Sequence, residues 1–193
     1  MISISTDKPL QAIVAEALTG ASHESMPQAP LQPQRSAKRV TASGTVTVSR
    51  TGNAHLISSD VERAVTRQAI ESTSKSVRSL AAYVYGDGGT PAQLTHLRTV
   101  ALSALLESDG ISDHEDAKRV VLLAEAAIED HRALSLRGDH NYSEQQLASL
   151  LGMHAQGFLR TYSSRYNAAL RALRDLDAEL LTAVSQALEE RAA

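Results

Sequence analysis

The sequence predicts a mainly α-helical protein: a helical bundle that ends in a compact pair of short helices and a long terminal helix, preceded by a disordered N-terminal arm and a small β-hairpin. Three observations lead there. Apolar residues recur at steps of three and four through most of the chain beyond residue 59. Helix start and stop residues punctuate that pattern at Thr90-Pro91, at Ser112 to Glu115, at Ser143 and at Gly152. With no Trp, one Phe and five Tyr in 193 residues, the core must be built of Leu, Val, Ala and Ile. This length suits one domain of moderate size with an arm. It divides into residues 1–42 (short helix and arm), 43–137 (hairpin and bundle) and 138–193 (paired short helices and terminal helix).

From Asp7 to Leu18 the pattern is amphipathic, with Leu10, Ile13, Val14, Ala17 and Leu18 on one face and Gly20 at its end. An isolated helix this short is marginal in water, so a frayed terminal helix is expected unless it docks on something or serves a partner. Ala21 to Arg39 is rich in Pro, Gln and Ser, offers no apolar period, and reads as disordered. No acidic residue lies between Glu24 and Asp60, whereas Arg35, Lys38, Arg39 and Arg50 do, making a cationic arm or linker. Between Val40 and Ile57 β-branched residues alternate around Thr51-Gly52-Asn53, which predicts a hairpin pairing Thr45–Ser49 with Ala54–Ile57.

A long helix should start at Ser59 or Asp60 and reach Tyr85, burying Val61, Val65, Ala69, Ile70, Val77, Leu80, Ala81 and Val84. The polar stretch Glu71 to Ser76 predicts a kink or a break in it. Gly86 to Gly89 reads as a connection, because it lacks the lysine and spacing of a phosphate-binding loop. Thr90-Pro91 opens the next helix, with proline where its missing N–H does no harm, and Leu94, Leu97, Val100, Ala101, Ala104 and Leu105 line one side. Ser112 to Glu115 then forms a capping box for a helix carrying Val120 to Ala127, apolar nearly all round and so expected at the centre of the bundle. Glu107, Asp109, Asp113, Glu115, Asp116, Glu125, Glu129 and Asp130 outnumber Lys118 and Arg119 here, a side of the molecule that should repel DNA. His114 and His131 stand nearby, yet no His-x-x-x-His or Glu-x-x-His pair brings ligands together, so no metal site and no cofactor are expected.

Tyr142 to Tyr162, YSEQQLASLLGMHAQGFLRTY, organises the C-terminal part. Ser143 caps a first helix whose apolar face carries Leu147, Ala148, Leu150 and Leu151. Gly152 ends it, since the chain must swing round in the left-handed conformation that glycine adopts without a Cβ clash. Met153 and His154 complete the turn, and a second helix begins near Ala155, with Phe158 and Leu159 packing back on Leu147 and Leu151. Gly157 falls inside that helix, where glycine costs about 1 kcal/mol relative to alanine.

The order Leu147, Ala148, Leu151, Gly152, Met153 resembles the helix-turn-helix of bacterial and phage transcription regulators. The resemblance implies a scaffold of Leu147, Ala148, Leu151, Gly152 and Phe158, and a second helix laid in the major groove of double-stranded DNA. His154, Gln156, Arg160 and Ser163 would then face DNA. Gln suits adenine and Arg suits guanine as bidentate partners. Charge points the same way: between Gln145 and Arg174 there is no Asp or Glu, while Arg160, Arg165, Arg171 and Arg174 are present in a chain of net charge −3. Arg165 and Arg171 are therefore expected to contact phosphate.

From Ser164 to Glu190 the chain reads as one strong helix. Tyr166, Ala169, Leu173, Leu176, Leu180, Ala183 and Ala187 form a heptad seam, which could pair two copies through Leu173, Leu176 and Leu180 or pack on the chain's own bundle. Zero cysteines exclude disulfides and thiolate metal sites. No apolar run is long enough to span a bilayer, and the start MISISTDKPL lacks a secretory signal's basic and apolar parts, so a cytoplasmic protein without membrane contact is expected. No nucleophile elbow or glycine-rich phosphate loop suggests an enzyme. The expected function is sequence-specific DNA binding in transcription control, with RNA polymerase or another regulator as candidate protein partner and a homodimer as one candidate form, the oligomeric state being left open by the sequence. The competing class is a non-enzymatic helical adaptor, chaperone-like protein or secreted effector that binds a protein partner.

Overall fold

The computed structural model describes residues 9–19, 53–107 and 111–192, and among them lie eight α-helices and no strand. Helix α1, Leu10–Thr19, is docked rather than frayed, with Ile13, Val14 and Ala17 buried against α2 and α8. Two arginines of the next helix fasten it: Arg67 Nε donates to the Ala17 carbonyl at 2.7 Å, and Arg63 lies 3.8 Å from the Glu16 carboxylate. An apolar stripe too short to fold alone persists here because tertiary partners cover it.

Helix α2 spans Asn53–Ser72 and begins earlier than the expected Ser59 or Asp60. Ala54 to Ile57 is therefore helical and forms no hairpin strand, while residues 45–49, the arm, and its cationic residues Arg35 to Arg50 lie outside the described residues. Once the downstream face is nucleated by packing, extending a helix backwards adds one hydrogen bond per residue fixed, whereas a lone two-stranded hairpin has no sheet to support it. The expected break falls at Thr73 and Ser74. Ser72 and Thr73 hydroxyls donate to the Ala69 and Ile70 carbonyls at 2.7 and 2.6 Å, drawing polar side chains onto the last turn. Ser74 then caps α3, Lys75–Val84, by accepting from the Val77 N–H.

Helix α4, Pro91–Leu106, starts in a reciprocal capping box between Thr90 and Gln93, with proline in its first turn as expected. Helix α5, His114–Arg137, is capped differently from the expected Ser112–Glu115 box. Asp113 accepts from the Asp116 N–H at 2.8 Å, and the Asp116 carboxylate takes the Ser112 N–H at 3.0 Å. Gly138, at φ +80°, ends α5. Val120, Leu123, Ala124, Ala126 and Ala127 are buried, but Val121 is 46% exposed, so α5 is sunk in the bundle on one broad face and not all round.

Helices α6, Glu144–Leu150, and α7, Ala155–Thr161, follow, and α8, Ser163–Ala192, closes the fold. α8 is the strut of the molecule, packing against α1 to α5 and α7. Leu173, Leu180 and Val184 are wholly buried and Leu188 nearly so. Leu176 is half-buried. The stripe offered as a seam between two copies is thus spent on the chain's own bundle, and Leu173 and Leu180 present nothing to a partner. Burying a leucine fully stabilises a fold by about 1.5–3 kcal/mol, so a row that can be covered internally will be. One contiguous core draws on every helix, from Val14 and Ile70 through Leu80, Leu97 and Leu123 to Leu147, Phe158 and Leu173.

Candidate nucleic-acid interface

Ser143 opens the pair of short helices. Its hydroxyl accepts from the Gln146 N–H, and the Gln146 side chain accepts the Ser143 N–H at 2.8 Å, a reciprocal cap that fixes where α6 begins. Leu147 and Ala148 are buried; the small residue lets the neighbouring helix approach. At the other end Gly152 has φ +65°. The Gly152 N–H donates to Ser149 and the Met153 N–H to Ala148, both at 3.0 Å, the paired bonds of a Schellman turn. From α5, Arg119 Nε reaches the Leu151 carbonyl at 3.2 Å and anchors the same turn.

His154 is the N-cap of α7 and makes no side-chain capping bond, leaving its exposed imidazole free of that duty. Phe158 is the inward anchor, 1% exposed, with its ring edge-on to Tyr166 at 6.3 Å. Leu159 does not pack back as expected; it is 44% exposed. Tyr162, one residue past α7, takes the inward position instead. His154, Gln156, Arg160 and Thr161 are all exposed along α7. Ser163 starts α8, half-buried, with its hydroxyl donating to the Leu159 carbonyl at 2.6 Å.

Arg165 is placed elsewhere than expected. Only 7% exposed, it directs Nη1 to the Asp116 carboxylate at 3.2 Å and lies over the Tyr162 ring at 5.7 Å, so its charge is directed inward and not to a phosphate. Arg171 is exposed on α8 and lines a groove together with Glu107 and Asp175. Arg174 is exposed too.

Two buried carboxylates hold this region together, and neither was expected to. Asp116, 5% exposed, accepts from the Tyr162 hydroxyl at 2.7 Å as well as from Arg165 and the Ser112 N–H. Burial by itself would raise its pKa, but the Tyr162 and Ser112 hydrogen bonds and the Arg165 charge outweigh that and hold it below the usual carboxylate range. Burial first, and then Asp116, push the Tyr162 phenol up. Asp130, fully buried, takes the Asn141 N–H, the Tyr142 N–H at 3.2 Å, the Tyr166 hydroxyl at 3.0 Å and the His140 Nδ1 at 2.6 Å. The loop from α5 into α6 is thereby tied to α5 and α8 at once. Burial and Asp130 drive the Tyr166 phenol far up. Tyr142 reaches about 12, chiefly through its hydrogen bond to Glu129.

The sequence counted Asp116 and Asp130 among surface acids that repel DNA. A signal against that was present: on α5 they extend the row Val120, Leu123, Ala127 at helical steps in both directions, so they share its buried face. His140 is the exposed partner of Asp130. His131 is buried with Nε2 3.4 Å from the Ser135 hydroxyl and 3.9 Å from Asp177, which also accepts from the Tyr85 hydroxyl at 2.8 Å. Among the described residues no His, Asp and Glu side chains gather as three or more potential metal ligands. No helix among them is long and apolar enough to cross a membrane.

The chain matches the family model of phage antitermination protein Q over residues 34–193. No curated protein and no solved structure matches it. Since the match covers well over half of the sequence, the chain belongs to the phage antitermination protein Q family. It is a phage transcription regulator, a regulatory and non-enzymatic kind of protein.

Proposed function

We propose that this member of the antitermination family acts by binding double-stranded DNA at a defined sequence, with α6 and α7 used as a helix-turn-helix and α7 lying in the major groove. The observation that carries this reading is the sidedness of α7. Phe158 locks one side of the helix into the core, and His154, Gln156 and Arg160 stand exposed on it beyond a Gly152 turn that is capped and anchored from α5. Gln156 would pair with adenine, Arg160 with guanine, and His154 and Ser163 would add contacts at the ends of the helix. Arg171 and Arg174 would supply phosphate contacts, aided by the absence of Asp and Glu from Gln145 to Arg174. Arg165 has no place in that set; its work is to hold α8 on Asp116. Antitermination is an action on transcribing RNA polymerase, so polymerase is the protein partner, met in the host cytoplasm. The reading needs no dimer seam on α8.

Selection of duplexes by the purified chain tests this, with Gln156→Ala and Arg160→Ala run beside it at two salt concentrations. One enriched sequence, lost in both variants, is the expected result. Uniform, salt-labile binding indifferent to Gln156 would reduce α7 to a basic surface without base reading, and absence of binding at either salt would remove the proposal.

A further inference from the structure

Glycine is the poorest helix former apart from proline, so a glycine kept inside a seven-residue helix calls for a reason. The described glycines other than Gly157 have one within the chain. Gly88, Gly89, Gly138 and Gly152 have positive φ, and at Gly86 an added Cβ would lie 2.6 Å from the Ala82 carbonyl oxygen. Gly157 has neither. Its φ is not positive, and an added Cβ would meet nothing nearer than the flexible end of Met153, at 4.0 Å. An alanine would fit there and would favour α7.

The space that a side chain would occupy opens outward. By helical spacing Gly157 shares a face with His154 three residues before it and with Arg160 and Thr161 after it, all exposed. Gly157, itself half-buried, therefore leaves a notch on that side of α7, between His154 and Arg160. Glycine at such a place is the usual device for letting another surface come up to the backbone.

We propose that Gly157 is the point of closest approach between α7 and the base edges of a bound duplex, the absent Cβ letting the helix sink far enough for Gln156 and Arg160 to reach their bases. The proposal rests on the DNA-binding reading above and adds to it a specificity-determining position that makes no side-chain contact at all.

The test separates stability from affinity in the full-length chain, using the duplex that the wild type enriches from a random-sequence library. Gly157→Ala should raise Tm by about 2 °C, as a better helix former in a chain of this size. It should also weaken duplex binding about tenfold or more, the scale of losing one good base contact. Gly157→Leu should weaken binding further while the fold, read by circular dichroism, is kept. A purely structural glycine would not move the two readouts in opposite directions. If Gln156→Ala and Arg160→Ala lose binding while Gly157→Ala and Gly157→Leu keep it, the close approach is wrong and the DNA reading stands. If the wild type enriches no duplex, both fall together.

Discussion

Replacing Asp130 probes how the short-helix pair is held, because this one carboxylate accepts from two backbone N–H groups, a tyrosine hydroxyl and a histidine. In Asp130→Ala the exposed Asn141 and His140 can turn to water, but the Tyr166 hydroxyl, on a residue 5% exposed, cannot easily do so. Hydrogen bonds to a charged acceptor contribute about 1.5–3 kcal/mol each, and a donor left buried without a partner costs about 1–3 kcal/mol. Allowing rehydration of the two exposed groups, the expected loss is about 3–5 kcal/mol, the range for breaking a buried charged interaction. For a chain of this size that corresponds to a fall in Tm of roughly 10 °C. Asp130→Asn keeps one carbonyl for the Asn141 and Tyr142 N–H groups, and its amide can donate toward His140 and Tyr166, so about 1–2 kcal/mol is expected. Urea unfolding followed by circular dichroism measures both, and amide exchange at Asn141 and Tyr142 should quicken in Asp130→Ala before exchange in α4 does. A loss under about 0.5 kcal/mol for Asp130→Ala, the scale of an ordinary surface change, would refute the claim that Asp130 fastens the loop.

Gly152→Ala should cost about 1–2 kcal/mol through its backbone alone, because φ is +65° and a Cβ would touch nothing there; equal stability of the two proteins would sink the turn argument. Burial holds the His131 pKa below its usual value despite the opposing pull of Asp177, so the unfolded chain binds that proton more readily than the folded one. The stability this contributes is present in full above the ordinary histidine pKa of about 6.5, begins to be lost as pH falls through it, and is gone once pH has fallen through the lower folded-state value. Unfolding curves at pH 8 and pH 5.5 should therefore converge in His131→Gln relative to wild type, and an unchanged difference would contradict a neutral buried imidazole. Arg160→Ala and Arg165→Ala should part company: the first loses duplex binding with Tm within a degree or two, whereas the second loses several degrees by leaving Asp116 without its cation. The reverse pattern would place Arg165 on the DNA side.

The helical class, most helix boundaries and the pair of short helices with its glycine turn were legible in the order of residues alone. Thr90, Ser143 and Gly152 act on groups within a few residues of themselves, so their capping and turn chemistry is legible wherever the rest of the chain lies. Periodicity likewise marked Leu173 and Leu180 as one stripe, but a stripe does not say what covers it. Only the packing of α8 along α1 to α5 decided that the cover is internal, and the same packing turned a marginal N-terminal stretch into α1 and carried α2 back through Ala54. Charge was legible at α7, where Gln156 and Arg160 point away from the core. It was not legible at Asp116, Asp130 and Arg165, because a charged residue is read from sequence as solvated, and the partners that make burial tolerable here stand far off in the chain. Tyr162 and Tyr166 reach those carboxylates only once the start of α8 lies beside α5.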